Sequence, residues 1–356
     1  MKEQALKPEI RDLLHRGTVI PAHPLALKEN RQLDEQRQRR LTRYYIGSGA
    51  GGIAVGVHST QFEIRDPAID LYETVLRLAA EEINKADLQR PFIKIAGICG
   101  PTEQAVSESR LAVQYGYDLG LLSMGGLQDW TEKEILERVA SVAAIIPVFG
   151  FYLQPSVGGR VFSYDFWYRF SEISNVHAIK IACFNRYQTL DVMRAVCNSG
   201  RKDEVAMYTG NDDNIIPDLM TTYRFDINGK SVEKRFVGGL LGHWAVWTKK
   251  AVELLQEIKQ FQAGNYTKTE ALLTKGIEVT DVNAAIFDPA HHFHGCIPGI
   301  HEILRRQGLL EGRWCLNRQE ELSAGQLEEI DRVYEAYPHL NDDDFVGELL
   351  GREKDF

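Results

Sequence analysis

Eight short apolar runs recur along the chain at fairly even spacing: Thr18–Ala22, Gly52–Val57, Phe92–Ile98, Asp118–Met124, Ile146–Tyr152, His177–Ala182, Val205–Gly210 and Phe236–Gly242. Most are apolar on both faces, as parallel strands covered by helices must be. The stretches between them carry helix signals. Thr131-Glu132-Lys133-Glu134 reads as a capping box, followed by Ile135, Leu136, Val139 and Val142 at helical spacing. Leu71, Val75, Leu76 and Leu78 form an apolar stripe in the second connection; Ala105, Leu111, Ala112 and Tyr115 do so in the third. Eight alternations of strand and helix predict an α/β chain, a (β/α)8 TIM barrel over residues 1–250. The stretches Ala251–Phe261, Thr267–Lys275, Ile300–Gln307 and Ser323–Tyr337 predict a C-terminal helical extension over 251–356, packed on the barrel. Ser323-x-x-Gln326 is expected to cap the last of these helices, and Asn341-Asp342-Asp343-Asp344 to form a solvated tail. Tyr223–Arg235 reads as an inserted polar turn around Asn228-Gly229.

A doubly wound open sheet is the competing architecture. Gly47-Ser48-Gly49-Ala50-Gly51-Gly52 matches Gly-x-Gly-x-x-Gly by letter. A dinucleotide fingerprint, however, follows a strand and opens a helix, whose N-terminus holds the pyrophosphate. Here the helical stretch precedes the glycines and the strand follows, so the run reads as a helix stop and turn.

The formal net charge is -9, and the only basic cluster is Arg37-Gln38-Arg39-Arg40. That excludes nucleic acid and anionic membrane as main partners. The five cysteines, Cys99, Cys183, Cys197, Cys296 and Cys315, are scattered without a CxxC pair, as reduced thiols of a cytoplasmic protein are. The first residues lack the apolar core of a signal peptide, and no apolar stretch approaches the ~18 residues of a membrane span. A soluble, cytoplasmic protein is expected.

Within His177-Ala178-Ile179-Lys180-Ile181-Ala182, Lys180 faces away from Ile179 and Ile181, in the middle of a strand that otherwise reads as buried. Lysine is almost never fully buried unless paired or functional. Burial disfavours its charge, and a neutral amine attacks a ketone to form a Schiff base. A lysine that snorkels at the strand end is the alternative. Phe92-Ile93-Lys94-Ile95-Ala96 repeats the pattern on the third strand, where Lys94 reads as an outward or edge lysine.

In a barrel, catalytic groups sit at the carboxyl ends of the strands. These ends carry His58-Ser59-Thr60, Tyr152-Leu153-Gln154-Pro155, Gly210-Asn211-Asp212-Asp213 and Gly242-His243-Trp244. Together with Ala178-Ile179-Lys180-Ile181 they resemble motifs of the dihydrodipicolinate synthase/N-acetylneuraminate lyase family of class I aldolases and lyases. The resemblance runs from about Gly17 to about Tyr337 and includes the interval 180 − 152 = 28 between tyrosine and lysine. It implies a Schiff-base lyase, aldolase or related dehydratase acting on a 2-oxo acid such as pyruvate or a sugar-acid derivative. Lys180 would form the imine, Tyr152 would move the proton, and Ser59 would relay it. Thr60 would hold the substrate carboxylate, while Gly210, Asp212, Asp213 and His243 would face the rest of the substrate. The resemblance calls for no cofactor and implies a homo-oligomer, dimer or tetramer. From the residues alone, Tyr152 reads equally as a buried structural phenol, Ser59-Thr60 as a turn cap, and Asp212-Asp213 as an acidic helix start.

The chain also departs from the family. Ser123-Met124-Gly125-Gly126 stands where the synthases carry a second tyrosine, and Val157 where they carry an arginine, with Arg160 three residues on. Both changes argue against dihydrodipicolinate synthase activity itself. The cluster His291-His292-x-His294-x-Cys296, with Asp288 nearby, lies outside the family pattern. It reads either as a polar loop or as the centre of a metal-dependent barrel hydrolase or isomerase. A non-catalytic sugar-acid-binding barrel is the remaining alternative.

Overall fold

The computed structural model describes residues 4–353. Among them, every expected apolar run holds a strand. These are β1 (Val19–Pro21), β2 (Gly52–Val55), β3 (Ile93–Ile98), β4 (Leu119–Leu122), β5 (Val148–Leu153), β6 (Val176–Ala182) and β7 (Ala206–Thr209). The antiparallel pair β8 (Tyr223–Ile227) and β9 (Lys230–Lys234) follows, then β10 (Phe236–Leu241). Apart from that pair, strands alternate with helices in the order of a (β/α)8 fold, and helices follow β10.

The chain forms two compact units. One comprises residues up to Thr18 together with Ile93–Leu240. Its strands lie parallel in the order β10-β7-β6-β5-β4-β3. The other comprises Val19–Phe92 and the chain from Leu241 onward. There β1 and β2 adjoin through a parallel bridge, Ala22 to Ala54, and His23 N–H donates to the Ala54 carbonyl at 2.8 Å.

The local signals act as chemistry predicts. Glu134 N–H donates to Thr131 Oγ1 at 3.2 Å and Thr131 N–H to Glu134 Oε2 at 2.7 Å, closing the capping box of helix Glu132–Ala143. That helix buries Ile135, Val139 and Val142, each contributing about 1.5–3 kcal/mol of burial. Helix Glu35–Gly47 ends at the glycine run, Gly49 takes φ +90°, and β2 starts at Gly52, so the run is a stop and turn.

Three readings change. The polar insertion is the β8–β9 hairpin, with Asn228 and Gly229 both at positive φ in its turn. The last expected helix starts at Gln326. Gln326 Oε1 accepts from Ser323 N–H at 3.0 Å, but the Ser323 hydroxyl donates to Asp288 instead of capping. Asp342 is not solvated. It is 3% exposed and accepts from Tyr44 Oη at 2.7 Å, Gln307 Nε2 at 2.8 Å and Lys249 N–H at 2.9 Å. A buried carboxylate needs such donors, and here they tie helix Asp343–Glu353 to the helices beginning at Glu35 and Thr248.

Candidate active site

Strands β5, β6 and β7 set the site. Lys180 pairs in register with Phe151 on β5 and Tyr208 on β7. Paired residues of parallel strands share a face, so these three point the same way. Lys180 is 8% exposed, and its Nζ stands 4.4 Å from the centroid of the Phe151 ring. Burial pulls its ammonium down to about 8, with Asp212 opposing. The neutral amine is thus far more populated near neutral pH than on a free lysine.

Gly210 makes the room. A Cβ there would meet Lys180 Cε at 2.4 Å and Ala182 Cβ at 2.9 Å. The turn that carries Gly210 and Asp212 is tightly held. Gly210 N–H donates to the Ile181 carbonyl at 2.7 Å, and Asn211 Oδ1 accepts from Phe184 N–H at 3.0 Å. Asn211 Nδ2 and Thr209 Oγ1 both donate to Asp218 Oδ2, at 2.9 and 2.7 Å. Asp218 is fully buried and also takes Arg186 and Asn214. Sequence reasoning passed over Asp218; its only signal was an acidic residue in an otherwise apolar stretch, Ile215-Ile216-Pro217-Asp218-Leu219. Asp213 is pushed up by burial, with Arg186 opposing.

Tyr152 is not brought to Lys180's face. Its ring lies 5.0 Å from Trp167 and 6.1 Å from Phe162, and its register partners are Ile181 and, across β6, Thr209. The cause is an irregularity in the ladder. Val148 pairs with Val176 (176 − 148 = 28), but Phe149 pairs with Ala178 (178 − 149 = 29). His177 is the extra residue. Had the first register continued, Tyr152 would sit opposite Lys180; the bulge puts Phe151 there. Burial pushes the Tyr152 phenol up to about 12, with the Phe162 backbone opposing.

Ser59, Thr60 and His243 belong to the other unit. Thr60 Oγ1 donates to the His23 carbonyl at 2.6 Å and accepts from Gly56 and Val57 N–H at 3.0 and 3.2 Å. Its hydroxyl therefore shapes the loop after β2. Ser59 is 3% exposed and its hydroxyl has no hydrogen-bond partner among the described residues. His243 is buried beside Asn283, and burial pulls its imidazole down to about 4, so it is neutral.

The remaining candidates stand apart from this chemistry. Lys94 is half-buried on β3, next to Asp118 in charge terms, and burial lowers its amine. Arg160 donates to the Leu127 and Trp130 carbonyls at 3.0 and 2.7 Å, so it pins a loop. His291, His292 and His294 are exposed, and His291 Nδ1 contacts Asp288 Oδ1 at 2.5 Å. Among the described residues, no group of three or more His, Cys, Asp or Glu side chains is arranged to hold a metal. No helix among them is long and apolar enough to cross a membrane.

No protein-family model and no curated protein sequence matches the chain. Solved structures do. A dihydrodipicolinate synthase from Oceanobacillus iheyensis matches with TM-score 0.73 at 17% identity, over 92% of this chain and 99% of that one. CdNal from Clostridium difficile, solved in complex with mannosamine, matches with TM-score 0.71 at 15% identity, over 90% and 99%. An N-acetylneuraminate lyase from Fusobacterium nucleatum matches with TM-score 0.69 at 16% identity, over 91% and 99%. At such identities the shared property is architecture. The chain thus has the (β/α)8 fold, with its C-terminal helices, of the dihydrodipicolinate synthase and N-acetylneuraminate lyase structures.

Proposed function

We propose that the protein is a Schiff-base-forming lyase or aldolase, dehydration included, acting on a 2-oxo acid such as pyruvate or a sugar-acid derivative. The observation that carries the reading is Lys180: an amine 8% exposed, lowered to about 8 by burial, and given room by a glycine. A surface lysine has neither property. The buried amine attacks the 2-oxo carbon, water leaves, and the iminium withdraws electrons from the adjacent C–C or C–O bond. The Phe151 ring holds the protonated amine by cation–π attraction at one side. Asp213, on the turn after β7, is the group for a substrate hydroxyl.

Borohydride reduction in the presence of pyruvate, followed by peptide mass spectrometry, tests the reading. Hydride adds to the imine carbon and fixes a secondary amine. A pyruvate-sized adduct on Lys180 is the expected result. An adduct on no lysine, across a panel of 2-oxo acids, overturns it.

A further inference from the structure

We propose that Asp212 is the acid and base of imine formation at Lys180, the part that the sequence pattern assigns to Tyr152. This deepens the Lys180 reading and rests on it.

The ladder supplies the first argument. Past the bulge at His177, Phe151 rather than Tyr152 shares the face of Lys180, and a phenylalanine cannot carry a proton. The other ring on that face, Tyr208, gives its hydroxyl proton to the Leu14 carbonyl at 2.9 Å. Tyr152 faces Trp167 and Phe162, held as a protonated phenol in apolar surroundings. On the lysine's face, then, the one phenol is bonded to Leu14, and Tyr152 lies on the opposite face.

Asp212 meets the need by position. Its side chain is 8% exposed, and its charge is the one that acts on the Lys180 ammonium. It sits two residues beyond Gly210, whose missing Cβ leaves the lysine chain its path. The bonds from Asn211 to Asp218 and Phe184 hold this turn fixed, so the carboxylate does not wander. Asp213, its neighbour, instead feels the charges of Arg186 and Asp218.

The steps balance. Asp212 carboxylate takes a proton from the Lys180 ammonium. The neutral amine forms a bond to the ketone carbon while the C=O π pair moves to oxygen, which takes the proton from Asp212. Asp212 then removes a proton from the attached nitrogen and returns it to the carbinolamine hydroxyl. The C–O bond breaks, water departs, and the nitrogen lone pair closes the C=N bond. The products are an iminium and the original carboxylate. No co-reactant is needed, and a positioned group of this kind contributes about 10²–10⁴-fold.

The test is the rate of pyruvate trapping at Lys180 under borohydride for four proteins: native, Asp212→Asn, Asp212→Glu and Tyr152→Phe. Thermal denaturation of each checks that it is folded. Asp212→Asn should trap about 10²–10⁴-fold more slowly. Asp212→Glu should recover part of that loss, and Tyr152→Phe should trap at the native rate. A folded Asp212→Asn protein trapping at the native rate, or a Tyr152→Phe protein losing trapping by a comparable factor, overturns the assignment. Failure of the native protein to trap at all overturns the Lys180 reading itself, so the two failures are distinct.

Discussion

Gly210→Ala separates space from stability at the candidate site. The added Cβ would lie 2.4 Å from Lys180 Cε, 3.0 Å from Lys180 Cγ and 2.9 Å from Ala182 Cβ. Carbon atoms rest at about 3.5–4.0 Å, so Cε must retreat by roughly 1 Å or more. The lysine chain yields by rotation, whereas Ala182 Cβ is fixed to its strand. Overpacking of this kind costs about 1–3 kcal/mol, and the flexible lysine places the change toward the lower end. Gly210 does not have positive φ, so alanine brings no backbone strain. The chemical cost is larger. A reacting atom displaced by about 1 Å loses on the order of 10²-fold in rate. The expected result is a folded protein with slightly lower thermal stability and trapping of pyruvate at Lys180 slowed about a hundredfold. Native-rate trapping by the alanine variant would refute the claim that Gly210 sets the lysine's position.

Other consequences are direct. Lys180 has its ammonium lowered from 10.5 to about 8, so below pH 8 the folded state bears the cost of a buried charge. Because the unfolded chain binds the extra proton between those values, stability rises with pH through that window. Lys180→Met should therefore exceed native stability at pH 7 by up to about 3 kcal/mol, a gap closing toward pH 10.5, read from urea midpoints at several pH values. Thr60→Val should lose about 2–4 kcal/mol by chemical denaturation, since one buried hydroxyl serves three backbone groups. Asp342→Asn should lose about 1–3 kcal/mol, because the amide turns a donor either toward Gln307 or toward Tyr44 and Lys249; an unchanged melting temperature would contradict this.

The sequence exposed those features whose physics is local. Strands covered on both faces must be apolar throughout, so β3, β5 and β6 stand out as runs. Thr131 and Glu134 cap each other within one turn, and the box is visible as letters. Lys180 is conspicuous because a charge interrupts apolar residues. Asp218 and Asp342 are different. Asp342 is buried by Tyr44 nearly three hundred positions away, Asp218 by Thr209, Asn211 and, from another helix, Arg186, and no local pattern separates such an aspartate from a solvated one.

The fate of Tyr152 shows why spacing alone falls short. The interval of 28 residues to Lys180 is present, and the ladder between β5 and β6 begins with that same interval at Val148 and Val176. One extra residue, His177, raises the interval to 29 from Phe149 onward. Side chains alternate with period two, so a slip of one position exchanges the two faces of everything that follows. Phe151 thereby comes to the lysine and Tyr152 goes to the packing against Trp167. A bulge leaves no signature in composition or hydropathy, because both faces of this strand are buried and either register keeps the apolar pattern. If the register is what parts the two residues, deleting Phe149 while keeping His177 should advance β5 by one position along β6 and bring the phenol opposite Lys180. In that deletion variant, Tyr152→Phe should slow pyruvate trapping, whereas with Phe149 present the same change should leave it unaltered. Equal effects in both backgrounds would mean that the register does not govern which group reaches the lysine.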